Sequence, residues 1–282
     1  DTMILGIDIG GSHITAALVE ESKRQINVDS IRRLRVNSNG SADEILNVWS
    51  SVVNDIFNSY DIIEKRIGIA MPGPFDYDNG ISQIKGLDKY DTLYGLNVKE
   101  LLAKIIYMPT TNILMMNDAA CFLRGEVYYG AAKGFDDAIG ITLGTGTGSA
   151  FHHNGITTDA NLGPSPFKSS IADDYFSTRW FVKRYKEVSS IHVNNVKELA
   201  EFYATDNKVK VLFSEFTDNL SDFLEVFIHK EKPQVVVLGG NIVQCSNLFL
   251  ADLMNNLKVR GINTAIVTAK LGEEAAILGA VS

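Results

Sequence analysis

Short apolar runs and apolar positions at helical spacing alternate along the chain, which predicts a mixed α/β fold. The chain opens with apolar residues 3–9, closed by a glycine pair, and a second apolar run over 13–19 follows at once. This pattern is typical of a β-hairpin with a glycine-rich turn. A third strand is expected near 31–36. Ser41 and Glu44 then have the spacing of a capping box ahead of a helix whose apolar positions run from 45 to 57.

The rest of the chain repeats this order. Further strands are expected at 65–71, 113–116, 137–151 (as a second glycine hairpin), 234–238 and 265–268. Further helices are expected at 98–106, 119–130, within 173–232, at 248–257 and at 273–280. The sequence therefore predicts a partly duplicated unit of three strands, a helix, a strand and a helix.

Length and composition indicate a folded protein with more than one core. The chain has 282 residues, which exceeds the usual size of a single-core domain, so we expect two α/β domains with a cleft between them. Hydrophobic residues make up 45% and charged residues 21%, which is ordinary globular usage. The formal net charge of -8 disfavours nucleic acid as a partner, because nucleic-acid-binding surfaces carry a clustered basic excess. It leaves room for a small anionic ligand held by backbone N–H groups.

Cysteine usage and hydropathy restrict the compartment. Only Cys121 and Cys245 are present, both in apolar or helical surroundings, and we expect buried, reduced thiols rather than a disulfide framework. No apolar run approaches the roughly 20 residues that span a bilayer. The first residues lead straight into a strand rather than into a signal peptide. We therefore expect a cytoplasmic protein with no membrane partner.

Five short motifs carry the candidate chemistry. They are Asp8-Ile9-Gly10-Gly11-Ser12, Met71-Pro72-Gly73-Pro74, Asn117-Asp118-Ala119-Ala120, Leu143-Gly144-Thr145-Gly146-Thr147-Gly148 and Leu238-Gly239-Gly240-Asn241. Glycine permits positive φ and lets backbone N–H groups approach a phosphate without a Cβ in the way. The first motif alone fits a plain hairpin turn better. The run of alternating Gly and Thr packs poorly and is costly in backbone entropy, so the two glycine hairpins together favour a phosphate clamp.

Each of the other three motifs has a purely structural alternative. Asn117-Asp118 lies between a buried strand and a helix, where a helix N-terminus can hold a carboxylate rigidly. The alternative is an aspartate that only caps the helix. Pro72-Gly73 ends a strand, and Gly239-Gly240 follows a buried strand and opens a helix. For both, a simple turn is the alternative.

In their order along the chain, these motifs resemble the ROK family (repressor, open reading frame, kinase) of the actin, Hsp70 and sugar-kinase superfamily. Residues 271–280 look like that family's closing helix. The resemblance implies two ribonuclease-H-like domains with an interdomain cleft, which we place at 1–116 plus 269–282 for the smaller α/β domain and at 117–268 for the larger. It implies an ATP-dependent sugar kinase that uses Mg²⁺, phosphorylates a hexose or hexose derivative and forms a homodimer.

The resemblance also implies a role for each motif. Asp118 would be the general base that takes the proton of the attacking sugar hydroxyl, and phosphoryl transfer asks for little more covalent chemistry than that. Asp8 would hold Mg²⁺ through water. The residues expected to contact ligands are Gly10, Gly11, Ser12, Gly144, Thr145 and Gly146 at the phosphates, Gly239, Gly240 and Asn241 at the adenosine, and Pro72, Gly73 and Asn117 at the sugar.

The sequence departs from the family at the sugar and zinc motif, Ala-Gly-Glu-x-Gly-His followed by a cysteine cluster. In the matching residues 159–164, Asn161 replaces the glutamate and Pro164 the histidine. Proline offers no side-chain donor or acceptor and no cysteine lies near, so we expect no zinc. Asp173, which stands where the family has another glutamate, would still supply a carboxylate to the sugar beside Asn161. We expect these changes to shift or loosen sugar specificity.

Two other functions stay open from the sequence. The altered Asn161 and Pro164 are compatible with a sugar or nucleotide sensor that has no catalytic activity. A chaperone-like or filament-forming ATPase would share the phosphate clamp, but it carries extra subdomains that 282 residues do not easily hold. The first expected strand begins at Met3, so we expect no N-terminal DNA-binding helix-turn-helix of the kind that the family's repressors carry. Adjacent His152 and His153 point to opposite faces of a strand and are not expected to hold a metal.

Overall fold

The computed structural model describes residues 2–282, and these form two compact α/β units. Unit 1 runs through Tyr129 and resumes at Glu273–Ser282, and unit 2 comprises Gly130–Gly272. The boundaries predicted from the sequence follow residues 116 and 268, whereas the units divide after residues 129 and 272. The first boundary lies further along the chain because the helix after residue 117 packs inside unit 1, against the closing helix of the chain.

The predicted helices and strands follow one another in the expected order, and short strands that the sequence did not predict lie between them. Up to Tyr129 they are β1 Met3–Ile9, β2 His13–Glu20, β3 Gln25–Ile26, β4 Arg32–Arg35, α1 Ala42–Ser59, β5 Ile67–Met71, β6 Phe75–Asp76, β7 Ile81–Ser82, α2 Val98–Ile105, β8 Ile113–Asn117 and α3 Asp118–Tyr129. Unit 2 contains β9 Asp137–Leu143, β10 Thr147–His153, β11 Ile156–Asp159, β12 Pro166–Phe167, β13 Ser170–Ile171, α4 Ala172–Tyr175, α5 Thr178–Ser189, α6 Val196–Ala200, α7 Asn207–Glu231, β14 Val235–Gly239, α8 Leu250–Val259 and β15 Ala265–Thr268. Helix α9, Glu274–Ala280, completes unit 1.

Local sequence signals set several of these boundaries. The Ser41 hydroxyl accepts a hydrogen bond of 3.2 Å from the N–H of Glu44, as the capping-box spacing predicts, and α1 begins at the next residue. One difference follows β14. A 3₁₀ helix, Asn241–Leu248, begins directly after Gly240, and α8 begins only after it.

The sheet of unit 1 has the strand order β3-β2-β1-β5-β8, with β4 also paired to β2. Strands β1 and β2 are antiparallel, whereas β1, β5 and β8 are parallel. Asp8 on β1 lies opposite Ala70 on β5, and Met71 lies opposite Asn117 on β8. The register therefore brings the ends of β1, β5 and β8 to one edge of the sheet.

The sheet of unit 2 has the equivalent order β11-β10-β9-β14-β15. Strands β9 and β10 form an antiparallel hairpin, and β9, β14 and β15 are parallel. Gly239 at the end of β14 lies opposite Thr142 near the end of β9. The predicted duplication is thus present in strand order and in strand direction.

Each unit has its own apolar core. In unit 1, α1 buries Trp49 and Ile56 against the sheet, and in unit 2, α7 buries Phe216, Phe223 and other residues at helical spacing. Both cores follow the apolar periodicity of the sequence. The two cysteines, Cys121 and Cys245, are buried and free, as expected.

Helices α3 and α9 pack at backbone distance. A Cβ added to Gly125 on α3 would overlap the carbonyl group of Ala275 on α9, and a Cβ added to Gly279 on α9 would overlap the carbonyl group of Cys121 on α3. A third glycine, Gly68 on β5, lies in the same way against the carbonyl of Ala280. This close packing fixes α3, and with it the residues at its N-terminus, against the sheet of unit 1.

Candidate active site

Two carboxylates lie at the edge of the unit 1 sheet where the parallel strands end. Asp8 is on β1, and Asp118 begins α3 directly after β8. In open α/β sheets, ligands bind outside the carboxyl ends of the strands. Both side chains therefore lie at the sheet edge where ligands bind in folds of this type, and the ligand roles expected from the sequence stay predictions.

The Asn117 side chain, rather than Asp118, caps helix α3. Its amide oxygen accepts the N–H of Ala120 at 3.1 Å, which is the usual bond from an N-cap residue to the third helical position. Asp118 accepts the N–H of Ala119 at 2.9 Å through one carboxylate oxygen. Asn117 therefore has the capping role that the sequence offered as the structural alternative for Asp118. Capping does not account for the Asp118 carboxylate.

The electrostatics of this edge penalise negative charge. Burial raises the pKa of Asp118, and the nearby cation of Lys89 partly opposes that rise. The pKa of Asp8 is raised to about 7, first by burial and then by the charges of Asp118 and Glu273, against a smaller opposing effect of Arg33. A divalent cation would offset this repulsion.

Asp8 fits the role of a water-mediated Mg²⁺ ligand. Its carboxylate has no hydrogen-bond donor among residues 2–282, and Mg²⁺ commonly retains several waters while one or two carboxylates hold it. Within the same range, no cluster of three or more His, Cys, Asp or Glu side chains has the geometry to bind a metal directly. A single carboxylate of this kind suits a hydrated cation that is held through water.

The first glycine turn joins β1 to β2. The N–H of Gly10 donates to the carbonyl of His13 at 2.9 Å, and Gly11 and Ser12 are exposed. Neither Gly10 nor Gly11 has positive φ, so the conformational reason given from the sequence does not apply here. The space beside the turn is the relevant property, because a Cβ on Gly11 would meet its first neighbour only at 4.0 Å.

The second glycine turn joins β9 to β10 and is braced from one side. The carbonyl of Gly144 accepts the N–H of Thr178 at 2.8 Å, and Oδ1 of Asp173 accepts the N–H of Thr147 at 2.7 Å. Here too, Gly144 and Gly146 lack positive φ. A Cβ on Gly144 would meet no described atom within 4 Å, so the fold itself leaves room for a side chain at this position.

Asp173 has a structural role that the sequence analysis did not foresee. Besides holding Thr147, its carboxylate lies against Gly163, where an added Cβ would be 2.7 Å from Oδ1. The backbone N–H of Asp173 also donates to the carbonyl of Gly163 at 2.9 Å. The residue expected at the sugar therefore connects the 159–164 segment to the second glycine turn.

Gly239, Gly240 and Asn241 end β14 and begin the 3₁₀ helix. Gly240 has φ of +89°, and its Cβ would lie 2.6 Å from the backbone nitrogen of Leu143. Gly240 is therefore required by its conformation and by its close packing on β9. This agrees with the simple turn that the sequence offered as the structural alternative. Asn241 is exposed. The loop lies outside the ends of β9 and β14, the edge at which sheets of this type bind ligands, and its role at the adenosine stays a prediction.

The predicted sugar residues of unit 1 converge on a tyrosine that sequence reasoning missed. The Tyr77 hydroxyl donates to the carbonyl of Met71 at 2.8 Å and accepts the amide N–H of Asn117 at 3.1 Å. A Cβ on Gly73 would lie 3.1 Å from the same hydroxyl. Pro72, the other predicted residue, is buried at the end of β5. No motif marks Tyr77, since its contacts depend on how the loop after β5 folds back.

Asn161 and Pro164, the two residues that depart from the family pattern, are exposed. Asn161 has φ of +48°, and its N–H donates to Oδ1 of Asp159 at 2.8 Å. Asparagine tolerates this left-handed conformation better than glutamate does. The local backbone therefore matches the residue present.

The segment after Pro164 forms a two-strand hairpin, β12 and β13, held by one aromatic side chain. The Phe167 ring packs edge-to-face on Tyr175, Phe176 and Phe223, with centroid distances of 5.1, 5.0 and 6.2 Å. Aromatic packing thus anchors the hairpin to the core of unit 2. The absence of zinc stays a prediction.

His152 and His153 point to opposite faces of β10, as expected. Nδ1 of the buried His152 lies 2.7 Å from the hydroxyl of Thr157. His153 lies 2.9 Å from both Asp137 and Glu231. These hydrogen bonds raise the pKa of His153, the one to Glu231 most. Both histidines therefore make hydrogen bonds to side chains of unit 2.

The helices within residues 2–282 offer no candidate for a transmembrane segment, because none is both long and apolar enough.

Comparison with known proteins identifies the class and then the family. A solved ROK glucokinase from Streptomyces griseus, in complex with glucose and AMPPNP, superposes with a TM-score of 0.77 at 21% identity, over 99% of this chain and 97% of its own. With the duplicated sheets, this likeness defines the two-domain actin-like ATPase fold. The ROK family model matches residues 4–166, and the chain belongs to the ROK family.

Two curated relatives are similar over almost the whole chain. A glucokinase from Thermotoga maritima is 22% identical over 99% of this chain and 96% of its own length. An N-acetyl-D-glucosamine kinase from Mannheimia succiniciproducens is 22% identical over 99% of this chain and 98% of its own. The relatives thus bear the names of kinases for two different sugars.

Proposed function

We propose that the protein is an ATP-dependent sugar kinase that transfers the γ-phosphate of ATP to a hydroxyl of a hexose or hexose derivative. The observation that carries the proposal is the Asp118 carboxylate, which lies at the end of β8, has a raised pKa and is not the cap of its helix. The membership of the protein in the ROK family and the named activities of its relatives support the same reaction class.

The residues can be assigned steps in this reaction. Asp118 takes the proton of the attacking hydroxyl as the sugar oxygen forms its bond to the γ-phosphorus, the bond from that phosphorus to the β-γ bridging oxygen breaks, and ADP leaves. A raised pKa suits this role, because a general base works best when its pKa approaches the operating pH. Mg²⁺ held through water by Asp8 would neutralise phosphate charge. The N–H groups of Gly11 and Ser12 would bind phosphate oxygens. Gly10, whose N–H is bonded to the carbonyl of His13, would line the same turn.

In unit 2, the second glycine turn and the loop after β14 are the segments proposed to bind the nucleotide. The N–H groups of Thr145 and Gly146 would bind phosphates beside Gly144, whose own N–H donates to the carbonyl of Gly146. Gly239, Gly240 and Asn241 would lie at the adenosine. The open space at Gly144 supports this assignment, since a bound ligand gives a reason for glycine that the fold does not. Pro72, Gly73 and Asn117 are assigned to the sugar.

For the sugar, we propose a class of substrates rather than one compound. Asn161 and Pro164 lack the carboxylate and imidazole of the family pattern, and Asp173 is engaged by Thr147. A site that pairs fewer hydroxyls discriminates less between sugars. We therefore propose a broader or shifted preference relative to glucokinases. A homodimer, a cytoplasmic location and the lack of a nucleic-acid partner stay predictions.

The test is ADP release with ATP and Mg²⁺ over a panel of glucose, N-acetylglucosamine, mannose, fructose and a β-glucoside. We expect turnover with at least one sugar and a loss of about 10²- to 10⁴-fold in kcat for Asp118→Asn, as for other general bases. Asp61→Asn, a change at an exposed aspartate of the same unit, is the matched control and should keep full activity. No sugar-dependent release above the Asp118→Asn background would overturn the proposal. Melting shifts with sugar or ATP in the absence of turnover would favour the sensor.

A further inference from the structure

The loop of unit 1 that contains residues 85–90 carries no recognisable motif, and a hydrogen bond ties it to the first glycine turn. Tyr90 is fully buried, its hydroxyl donates to the carbonyl of Gly10, and its N–H donates to the carbonyl of Ser38 at 2.8 Å. Its ring also packs on Trp49 with centroids 5.8 Å apart. Tyr90 has φ of +56° and Asp88 has φ of +57°, so the residue between them is held in a sharply turned backbone. Such strained positions persist where the surrounding structure fixes them.

The residue between them is Lys89, and its side chain runs alongside the candidate site. A Cβ placed on Gly11 would lie 4.0 Å from Cδ of Lys89. The positive charge of Lys89 also acts on the Asp118 carboxylate and lowers its pKa. Lys89 therefore lies near both the first glycine turn and the proposed base.

The Lys89 ammonium makes no close polar contact with the side chains of residues 2–282. It forms neither a salt bridge nor a side-chain hydrogen bond with any residue in 2–282, although the side chain is half-buried. Lys85, four residues earlier on the same loop, is exposed and lies over the ring of Tyr94 at 5.0 Å. A half-buried cation without a partner is costly unless a ligand pairs with it.

We propose that Lys89 is a catalytic residue whose ammonium contacts the phosphoryl group during its transfer, between the first glycine turn and Asp118. The inference rests on the proposed kinase function and deepens it. In phosphoryl transfer, negative charge is spread over the three equatorial oxygens of the transferring group, and a fixed cation next to them stabilises the transition state. The tether through Tyr90 to Gly10 supplies the required fixed position.

A second consequence concerns the base. Because Lys89 lowers the pKa of Asp118, loss of its charge raises that pKa. The acid limb of the kcat/KM profile then moves to higher pH. A cation too far away to act on Asp118 would leave this limb in place.

The experiment compares Lys89→Met, which removes the charge but keeps the length, with Lys89→Arg and with Lys85→Met as the matched control. We expect Lys89→Met to lower kcat by about 10²- to 10³-fold, in the range for removing one electrostatic donor. KM for sugar and ATP should change by less than about threefold. Lys89→Arg should retain part of the activity, and Lys85→Met should equal the unmodified protein. Melting temperatures of all variants verify folding.

A binding measurement separates a transition-state contact from ground-state binding. With sugar and Mg²⁺ present, ADP plus aluminium fluoride mimics the transferring phosphoryl group. Lys89→Met should weaken binding of this mixture far more than binding of ADP alone. Equal weakening of both would overturn the proposal.

The kinetic outcomes distinguish the two proposals. If the unmodified protein turns over, Asp118→Asn does not, and Lys89→Met keeps kcat within about threefold, then Lys89 is not catalytic but the kinase function stands. A rise in KM for sugar with unchanged kcat would make Lys89 a sugar-binding residue and also overturn the inference. An unmodified protein without turnover on any sugar would overturn both.

Discussion

The backbone N–H of Thr147 donates to Oδ1 of Asp173 at 2.7 Å, so a carboxylate expected at the sugar also holds the turn expected at the phosphates. Removing the Asp173 carboxylate should disturb the second glycine turn. We expect Asp173→Ala to lower the free energy of unfolding by about 1 to 3 kcal/mol, the range for a hydrogen bond to a charged group. Urea unfolding measures this loss.

The matched variant is Asp173→Asn, whose amide oxygen can still accept the Thr147 N–H. We expect it to recover most of the stability, and KM for ATP should be closer to the unmodified value than in Asp173→Ala. If both variants raise KM for sugar alone while unfolding is unchanged, Asp173 acts at the sugar and the bracing role is wrong.

Asp8 should destabilise the protein at neutral pH when no divalent cation is present. Its pKa is raised from 3.8 to about 7, so its contribution to stability is fully present below about pH 4 and is lost as pH rises through 7. Asp8→Asn removes the ionisation. At pH 8 with EDTA we expect this variant to be more stable than the unmodified protein by roughly 1 to 3 kcal/mol in urea unfolding, and the gain should shrink at pH 4.

The same variant tests the metal role. Mg²⁺ with ATP should raise the melting temperature of the unmodified protein but not that of Asp8→Asn, because the carboxylate that would hold the hydrated cation is missing. Lower stability of Asp8→Asn at both pH values would contradict the electrostatic argument.

His153 should make unit 2 sensitive to alkaline pH. Hydrogen bonds that the imidazole donates to Glu231 and Asp137 raise its pKa above 6.5. The stability that it contributes is therefore fully present below pH 6.5 and is lost as pH rises through the higher folded value. In urea unfolding, the advantage of the unmodified protein over His153→Gln should therefore be larger at pH 6 than at pH 9. Glu231→Gln should reduce this pH dependence, and an advantage that grows with pH would disprove it.

Gly279 should not tolerate a methyl group, although it lies inside a helix. In an open helix, Gly→Ala would stabilise by about 1 kcal/mol. Here the added Cβ meets the carbonyl of Cys121, and we expect Gly279→Ala to destabilise by about 1 to 3 kcal/mol through overpacking. Asn58→Ala, on the exposed face of α1, is the control for helix propensity and should not destabilise. A gain in stability for Gly279→Ala would show that α3 and α9 can separate without cost.

Much of the fold was predictable because its signals are local. The capping box at Ser41 and the two glycine hairpins each lie within a few residues of sequence, so a one-dimensional pattern is sufficient to place them. The gathering of Asp8 and Asp118 at one sheet edge also follows from sequence once the strands are taken as parallel.

The reason for glycine in the phosphate turns was predicted only in part. Positive φ is absent at Gly11 and Gly144, and what remains is the open space above them. Positive φ is instead required at Gly240, where the backbone of Leu143 also excludes a side chain. Sequence identifies where glycine occurs, but the φ angle and the neighbours that decide why it is needed arise only when the chain is folded.

By itself, the sequence determined the order of the elements, the duplicated sheet pattern and the motifs at the strand ends, because apolar periodicity and turn residues act over short distances. Only the tertiary structure decided that Asp173 braces Thr147 across 26 residues and that Tyr90 ties the Lys89 loop to Gly10 across 80. Such contacts depend on the packing of elements that are distant in sequence. For the same reason, the chemistry proposed for Lys89 became visible only beside Gly11 and Asp118.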